Sequence, residues 1–520
     1  MNRCAIGNVK GKLASSGRQY LLNLAALLMA YGSFYRCRLA NPDAMWGEID
    51  PNANLISKLR NYRWLGWAAD SFSYKVLHYF PYEHRVMSLV LFLAVLALTL
   101  LFLQKTFEDI LQVSEMGWRG KLAFWTLTLL CVINVLSVEM FYFTEAFLTF
   151  KLSLLLVGVG CWCYSRGRYG AGTLLLVMSA LFYQVSCVYA ALILGTLAYL
   201  QERKSSGPSE RLSVKWLRRE LGYLSGAAAG GVIDYATGPW LLQRVSNVLG
   251  YELDPGKVMA WSSMSDNISS LCRQFKNLYE SSLSLMMPLY LPLLFSVLLT
   301  GICILLLRRQ GGDIAGYLLY KLAAFLVMGG LEIISPMGGF TPRVMAPFYC
   351  MQAMNGLMAL FLLKESGLSL AEWSVPLKKA VGTAAVGYLA VQYFFLQLIM
   401  ANRVLSENLD ILYAERVLEI VDEYEESTGI EVKSAAFCVD ESWNPFYEQV
   451  KYGRSAINSR VSGLATYTLI ETVGAWSGRS FERGTMSQDV YDEYFAGKNW
   501  NKFDEEQVVI VGDALYWCVF

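Results

Sequence analysis

Charged residues are scarce in this chain: they make up 17% of its 520 residues, whereas an ordinary soluble domain carries about 25%. Hydrophobic residues account for 55%. Several apolar runs approach the length of about 20 residues that an α-helix needs to cross a bilayer. Because only helices and closed barrels satisfy their backbone hydrogen bonds in lipid, the composition excludes an ordinary soluble protein and predicts an all-α polytopic membrane protein.

Histidines, paired cysteines and nucleotide-binding motifs are also few or missing. His78 and His84 are too few for a histidine-based metal cluster, and the eleven cysteines form no CxxC pair. No phosphate-binding loop of the GxxxxGK[ST] or GxGxxG type is found in a suitable context. We therefore predict no bound metal, no cofactor and no soluble nucleotide donor, although the sequence leaves a need for a divalent cation open. No nucleic acid partner is expected.

Charge divides the chain into two parts. Residues 402–520 hold ten basic and 21 acidic side chains, a net charge of −11, so the rest of the chain carries +12. A basic membrane region and an acidic tail differ in physical character, which indicates two domains. We predict a transmembrane domain over residues 1–400 and a small extracytoplasmic domain over residues 401–520.

The basic residues also predict how the chain is threaded. Residues 1–19 contain four basic side chains and no acid, so the positive-inside rule keeps this leader in the cytoplasm. Alternation from there predicts about eleven membrane segments, with the N-terminus inside and the tail outside. We place them at residues 20–40, 86–103, 121–138, 145–164, 171–200 (counted as two), 221–242, 284–307, 314–335, 344–363 and 380–400.

One apolar run, residues 171–200, is too long for a single span and too short for two. Read as one helix, it would put the strongly basic segment 201–219 outside. A hairpin of two short or re-entrant helices that turns near Gln184 keeps this segment inside. Each arm would hold about 13–15 residues, fewer than the ~20 of a full crossing.

The tail has the pattern of a small α/β domain. Residues 405–424 follow a helical period, and residues 432–439, 507–511 and 514–520 are short β-rich runs. Residues 463–476 are a second candidate helix. The sequence leaves open whether Cys438 and Cys518 pair.

The outer loop 41–86 carries acids and arginines beside interfacial tryptophans. Its candidates are Asp43, Trp46, Glu48, Asp50, Arg63 and Trp64. Charges near the membrane are costly and usually serve function or pairing. The predicted topology adds further cavity candidates at the same face: Glu139, Glu145, Gln184, Asp234 and Glu332. Together they predict an outward-facing polar cavity, whereas solvated loop charges and local ion pairs are the alternative for any one of them.

Such a cavity, without a nucleotide site, favours a donor that is itself a lipid. A polyprenyl phosphate has an apolar tail, which can lie between helices, and an anionic head at the interface. Arginine offers planar, bidentate contacts to phosphate oxygens, and Arg63 and Arg343 are the candidates. An arginine that reaches ordinary lipid phosphates is an equal alternative for either one alone.

Transfer of a sugar from such a lipid needs a general base for the acceptor hydroxyl. We choose Asp43, because Pro42 ends the first span abruptly and leaves the carboxylate at the water–lipid boundary. Partial desolvation there should raise its pKa and its basicity. Glu48 or Asp50 would bind sugar hydroxyls or serve as the base instead. A capping or turn role is the alternative for Asp43.

Four stretches of the chain resemble one known family. NPDAMW after the first span, RNYRWLGWA, the EMFYFTEAF…YQVS region and SP…GGFTPRVMAPFY are similar to bacterial membrane glucosyltransferases that modify O-antigen and convert serotype. The resemblance covers most of residues 15–400. It implies a GT-C type fold, a polyprenyl-phosphate-glucose donor, and inversion at the anomeric carbon without a covalent intermediate. By position, Asp43 matches the acidic residue after span one and Arg63 the loop arginine.

The resemblance also implies a setting in the cell. It places the chain in a bacterial cytoplasmic membrane, with a cell-surface glycan as acceptor and with a partner synthase and flippase that supply the donor. A transporter or flippase of a lipid-linked glycan is the alternative function. Against it stand the lack of a visible internal repeat and the concentration of charges on one side. A non-catalytic membrane assembly protein with a recognition tail is the third possibility.

Overall fold

Helices form most of the chain up to Thr428. The computed structural model describes residues 2–37, 51–80, 84–143, 147–206, 214–249, 264–283, 285, 287–334, 341–365, 371–439, 470, 474, 478–498 and 504–519. Its helices before the tail are α1 (Asn2–Tyr31), α2 (Pro51–Arg60), α3 (Trp64–Lys75), α4 (Arg85–Glu108), α5 (Trp118–Leu130), α6 (Glu139–Tyr142), α7 (Phe147–Ser165), α8 (Tyr169–Phe182), α9 (Ser186–Ser206), α10 (Val214–Leu249), α11 (Met264–Ser281), α12 (Leu291–Arg309), α13 (Ile314–Ile334), α14 (Pro342–Met345), α15 (Pro347–Glu365) and α16 (Ala371–Thr428).

Several of these helices are suited to a membrane by length and composition. Among the described residues, five stretches qualify: Arg85–Glu108, Leu148–Ser165, Leu291–Arg309, Pro342–Glu365 and Lys379–Leu405. Two shorter apolar helices, Tyr169–Phe182 and Ile314–Gly330, accompany them. The chain is therefore largely helical with five candidate membrane-spanning helices, and the total of eleven segments stays a prediction.

The segment predicted as a span over residues 121–138 is only partly helical. Helix α5 ends at Leu130, and residues 131–138 form a buried irregular stretch. Its backbone is satisfied by side chains from distant helices: Tyr31 Oη donates to Val132 O at 2.6 Å, and Val135 N donates to Gln392 Oε1 at 3.1 Å. Non-helical backbone at membrane depth is tolerated where protein surrounds it in this way. Hydropathy could not detect the break, because the stretch stays apolar.

The run 171–200 forms the predicted hairpin. Helices α8 and α9 are separated by Tyr183–Val185. The ring of Tyr223 on α10 lies 6.0 Å from that of Tyr169, at the start of α8, and its hydroxyl donates to Gln201 near the end of α9. The two helices therefore run in opposite directions. The turn near Gln184 is confirmed, although α9, with 21 residues, is longer than the predicted arm.

A helix that the sequence analysis missed lies in the predicted outer loop 243–284. Helix α11 buries Leu271, Phe275 and Leu278 at helical spacing. The ring of Phe275 packs 4.1 Å from that of Phe325 on α13. Because this helix is amphipathic rather than apolar throughout, a search for membrane spans passes over it.

The predicted boundary between residues 400 and 401 falls inside one helix. Helix α16 runs for 58 residues, so the apolar stretch Lys379–Leu405 continues directly into the tail. Its later turns bury Ala414, Val417 and Val421 in the core of the tail. The last membrane helix therefore also serves as the main helix of the acidic domain.

The tail contains a four-stranded mixed sheet in the order β2-β1-β4-β3. The strands are β1 (Ser434–Val439), β2 (Glu482–Arg483), β3 (Val508–Val511) and β4 (Ala514–Val519), and a short helix, α17 (Gln488–Tyr494), precedes β3. Strand β1 pairs in parallel with β4, and β3 pairs antiparallel with β4. The α/β character and three predicted strands are confirmed. Of the second candidate helix at 463–476, only residues 470 and 474 are described.

Candidate functional site

The short helix α6 positions polar and aromatic side chains of the candidate site. Residues 139–143 follow the irregular stretch and lie buried with their side chains in different directions. Because positions i and i+4 share a face in a helical turn, Glu139 and Phe143 both approach Arg343. Phe141 points the other way and stacks on Tyr31 with 4.0 Å between ring centroids. The EMFYF motif of the sequence is therefore a structural support for an arginine.

Arg343 is held on two sides by this turn. Its backbone N donates to Glu139 Oε2 at 2.9 Å, and its Nη1 lies 3.3 Å from the same oxygen. The guanidinium carbon sits 4.0 Å from the centroid of the Phe143 ring, a cation–π contact. Glu139 is completely buried, whereas 24% of the Arg343 side chain remains exposed. Glu139 and Phe143 thus orient the cation, and part of its side chain stays exposed.

A second arginine lies on the other side of the same turn. Arg403 on α16 has its guanidinium carbon 4.5 Å from the ring centroid of Tyr142, and its Nε donates to Glu407 Oε1 at 2.8 Å. Both members of this pair are only 2% exposed. A charge pair this deeply buried is costly unless it is well bonded, and its low exposure leaves little of it accessible to a ligand.

The Arg403–Glu407 pair lies near Cys37, the last described residue after the first helix. Cys37, the last described residue before the loop, is within electrostatic range of Arg85, Arg403 and Glu407. Arg85 Nη1 donates to the carbonyl oxygen of Cys37 at 2.7 Å. Two arginines and one glutamate therefore lie near Cys37, six positions before Asp43 in the sequence.

A second group of predicted residues meets at the turn of the α8–α9 hairpin. Gln184 Nε2 donates to Asp234 Oδ2 at 2.8 Å and to the carbonyl oxygen of Asn61 at 2.9 Å. Both of its amide hydrogens are engaged, so Gln184 joins the hairpin, α10 and the turn between α2 and α3. Asp234 is fully buried. The structure thus brings together Gln184 and Asp234, as it does Glu139 and Arg343.

Arg63 and Trp64 lie at the same turn. Tyr62 adopts a φ of 58°, which is uncommon for a residue with a side chain. Its ring lies so close to Gly238 that any side chain at position 238 would clash with it. Arg63 then places its guanidinium carbon 5.0 Å from the ring centroid of Tyr183. Trp64 is half-buried beside Tyr62. The role of Arg63 in phosphate binding stays a prediction.

The structure also reveals an ion pair that joins the two loop helices. Lys58 on α2 pairs with Asp70 on α3, and both side chains are buried. The sequence analysis noted neither as a site residue. The Arg403–Glu407 pair was missed too, although its i, i+4 spacing directly after the last span is a usable signal.

Several predicted site residues fall outside the described part of the chain. These are Asp43, Trp46, Glu48, Asp50 and Glu145. Glu332 belongs to α13, at an end whose side chains are not described. Their roles remain predictions.

The described residues offer no metal site. Within those ranges, no three His, Cys, Asp or Glu side chains come together in a way that could hold a metal ion. His84 instead stacks on Tyr79 with 5.1 Å between ring centroids. The chemistry that this arrangement offers is recognition of an anion by arginine next to a chain segment rich in acids. No family model, no curated protein and no solved structure matches the chain.

Proposed function

We propose that the protein is a membrane glycosyltransferase of GT-C type. It moves glucose or a similar hexose from a polyprenyl-phosphate carrier to a cell-surface glycan at the outer face of the membrane. The observation that carries this proposal is the geometry of Arg343: a guanidinium held by Glu139 and Phe143, with 24% of its side chain exposed.

This geometry suits a lipid-linked phosphate. Among the described residues, the polar partner of Arg343 is Glu139, which engages the backbone N and Nη1. The other N–H groups of the guanidinium are left for phosphate oxygens, with which arginine forms planar, bidentate contacts. Because a carboxylate and an aromatic ring fix the cation in advance, little conformational entropy is lost when the phosphate binds.

The end of the first helix lies beside the turn that holds Arg343. The EMFYF turn that holds Arg343 also packs on the end of α1, through Phe141 and Tyr31. The chain leaves this helix end at Cys37, and six further residues can cover at most about 20 Å. We take Asp43 as the base because it lies only six positions after Cys37 in the sequence.

The reaction then follows as a single displacement. Asp43 takes the proton from the acceptor hydroxyl while that oxygen attacks the anomeric carbon. The bond from the anomeric carbon to the phosphate oxygen breaks, and the polyprenyl phosphate leaves with the electron pair. Arg343 stabilises the negative charge that returns to the phosphate. The configuration at the anomeric carbon is inverted because no covalent intermediate forms.

A transfer assay tests this function. Membranes that contain the full chain are given radiolabelled polyprenyl-phosphate glucose and a cell-surface glycan acceptor, and labelled glycan is measured. We expect Asp43→Asn to abolish transfer while the protein remains inserted in the membrane. Asp109→Asn is the matched control, because Asp109 is an exposed carboxylate paired with Arg166 away from the site.

The outcome also separates the alternatives. Loss of transfer in Glu48→Gln or Asp50→Asn, with activity kept in Asp43→Asn, would reassign the base. Movement of the labelled lipid across the membrane without any glycan product would favour the transporter instead. Absence of transfer with every sugar lipid tested would reject the enzyme.

A further inference from the structure

A cavity lies at the opposite end of the helices that carry the candidate site. It has a volume of about 370 Å³ and is formed by the start of α5, the end of α15 and the early part of α16. In the chain, Glu139 follows α5, Arg343 precedes α15, and Arg403 belongs to α16. The stretches Pro342–Glu365 and Lys379–Leu405 are each long enough to cross a bilayer, so the cavity and Arg343 lie at opposite ends of a candidate membrane span.

The charge of the cavity wall is positive. Lys364 Nζ lies 3.0 Å from Glu115 Oε2, so these two lining residues neutralise one another. Arg119 on α5 and Lys379 on α16 also line the cavity and add two positive charges. The guanidinium carbon of Arg119 rests 5.2 Å from the ring centroid of Trp118. Two cations from different helices therefore face one space.

Backbone amides add to this positive potential. Helix α5 begins directly after Gly117, which lines the cavity and has no side chain to cap the first turn. The first amide N–H groups of a helix lack partners within the helix, and the helix dipole favours an anion near them. A phosphate in the cavity would meet these amides together with Arg119 and Lys379.

The rest of the wall is apolar. Ala123 and Leu360 line the side of the cavity that continues along the membrane helices. Trp118, next to the lining residues Gly117 and Arg119 in the chain, is 70% exposed, as expected for a tryptophan at a membrane surface. A soluble anion gains no binding energy from an apolar wall. A lipid, in contrast, places its headgroup at the cations and packs its acyl chains along the helices.

We propose that this cavity binds the phosphate headgroup of an anionic phospholipid from the leaflet opposite the candidate active site. The positive-inside rule predicts that this leaflet is the cytoplasmic one. The bound lipid would bridge α5 and α16, and α16 also carries Arg403 in its later part. The proposal is independent of the transferase function.

Lipid titration of the purified full-length protein tests it. The protein in neutral detergent is titrated with phosphatidylglycerol, and bound lipid is counted by native mass spectrometry while the unfolding temperature is followed. We expect saturable binding of phosphatidylglycerol, with Arg119→Gln/Lys379→Gln at least tenfold weaker. The matched control is Arg168→Gln/Arg308→Gln, which removes two exposed arginines that do not line the cavity and should leave binding unchanged.

Other results would overturn the proposal. Equal binding by the double variant and the native protein would exclude the cavity as the site. Equal binding of phosphatidylcholine would exclude recognition of net negative charge, and equal stabilisation by inorganic phosphate would assign a soluble anion instead. If the double variant does not fold, Lys379→Gln alone removes an exposed cation and should still weaken binding.

Discussion

Glu139 and Arg343 are 204 positions apart in the chain, yet one carboxylate oxygen of Glu139 receives both the backbone N–H and the Nη1 of Arg343. The double contact fixes the start of α14 as well as the side chain. Since Phe143 lies one turn after Glu139, the same short helix also supplies the aromatic face under the guanidinium. A ligand that binds Arg343 therefore contacts a guanidinium whose orientation is already fixed.

Replacement of Arg343 should affect the donor rather than the acceptor. Hydrogen bonds to charged groups contribute about 1.5–3 kcal/mol, so Arg343→Ala should raise the KM for the polyprenyl-phosphate sugar by roughly tenfold to a hundredfold. The KM for the acceptor should change little. Steady-state kinetics with each substrate varied in turn measure both. Arg308→Ala, an exposed arginine elsewhere on the bundle, serves as the control. An unchanged donor KM would contradict the assigned role.

The buried pair of Arg403 and Glu407 should matter for stability more than for binding. Both side chains are 2% exposed, and removal of one partner from such a pair costs about 3–5 kcal/mol because the other charge is left uncompensated. Glu407→Leu should therefore lower the thermal unfolding temperature in detergent strongly. The double variant Arg403→Met/Glu407→Leu should recover most of the loss. A double variant less stable than the single one would show that the pair itself is net stabilising.

The sequence predicted the largely helical character of the chain and the strands of the tail, because both follow from strong local patterns. Apolar runs marked the helices, and alternating β-rich runs marked β1, β3 and β4. Hydropathy failed where tertiary contacts decide: the break after Leu130 depends on Tyr31 and Gln392, more than 100 and 250 residues away. Likewise, Arg343 was recognisable as a candidate, but its contact with Glu139 requires the folded chain. Long-range pairing of this kind has no signature in one sequence.

The tail should lose local stability in acid through Glu425. Burial raises the pKa of this carboxyl, but the backbone N–H of Val432 and the guanidinium of Arg479 outweigh that effect and lower it below 4.5. Val432 N donates to one carboxylate oxygen at 2.8 Å, and Arg479 Nη2 donates to the other at 3.0 Å. The pKa of Glu425 is lower in the folded protein than in the unfolded chain. Its carboxylate therefore stabilises the fold at pH values above the unfolded pKa, and this stabilisation is lost as the pH falls through the folded pKa.

Amide hydrogen exchange of the full-length protein measures this effect. Glu425→Gln should speed exchange in residues 478–498 at pH 7 by an amount worth roughly 0.2–1 kcal/mol, since the carboxylate is partly exposed. At a pH below the folded pKa, variant and native protein should exchange alike. Glu426→Gln, the exposed neighbour, is the control. Equal acid sensitivity in both variants would mean that other carboxyls dominate.

Cys438 and Cys518 offer a test of which side of the membrane the tail occupies. They are register partners on the parallel strands β1 and β4, and Cys438 packs against the buried Cys518. Neighbouring strands lie about 4.8 Å apart, within the Cα separation of 4.4–6.8 Å that a disulfide spans. If the tail is extracytoplasmic, as predicted, oxidising conditions should join the two sulfurs.

Mass spectrometry of peptides from alkylated membranes should then find Cys438 linked to Cys518 until a reductant is added. Cys272→Ser should leave the link intact, whereas Cys438→Ser should abolish it. Both cysteines are free thiols in the structure, so complete alkylation of both without reductant would contradict the predicted link.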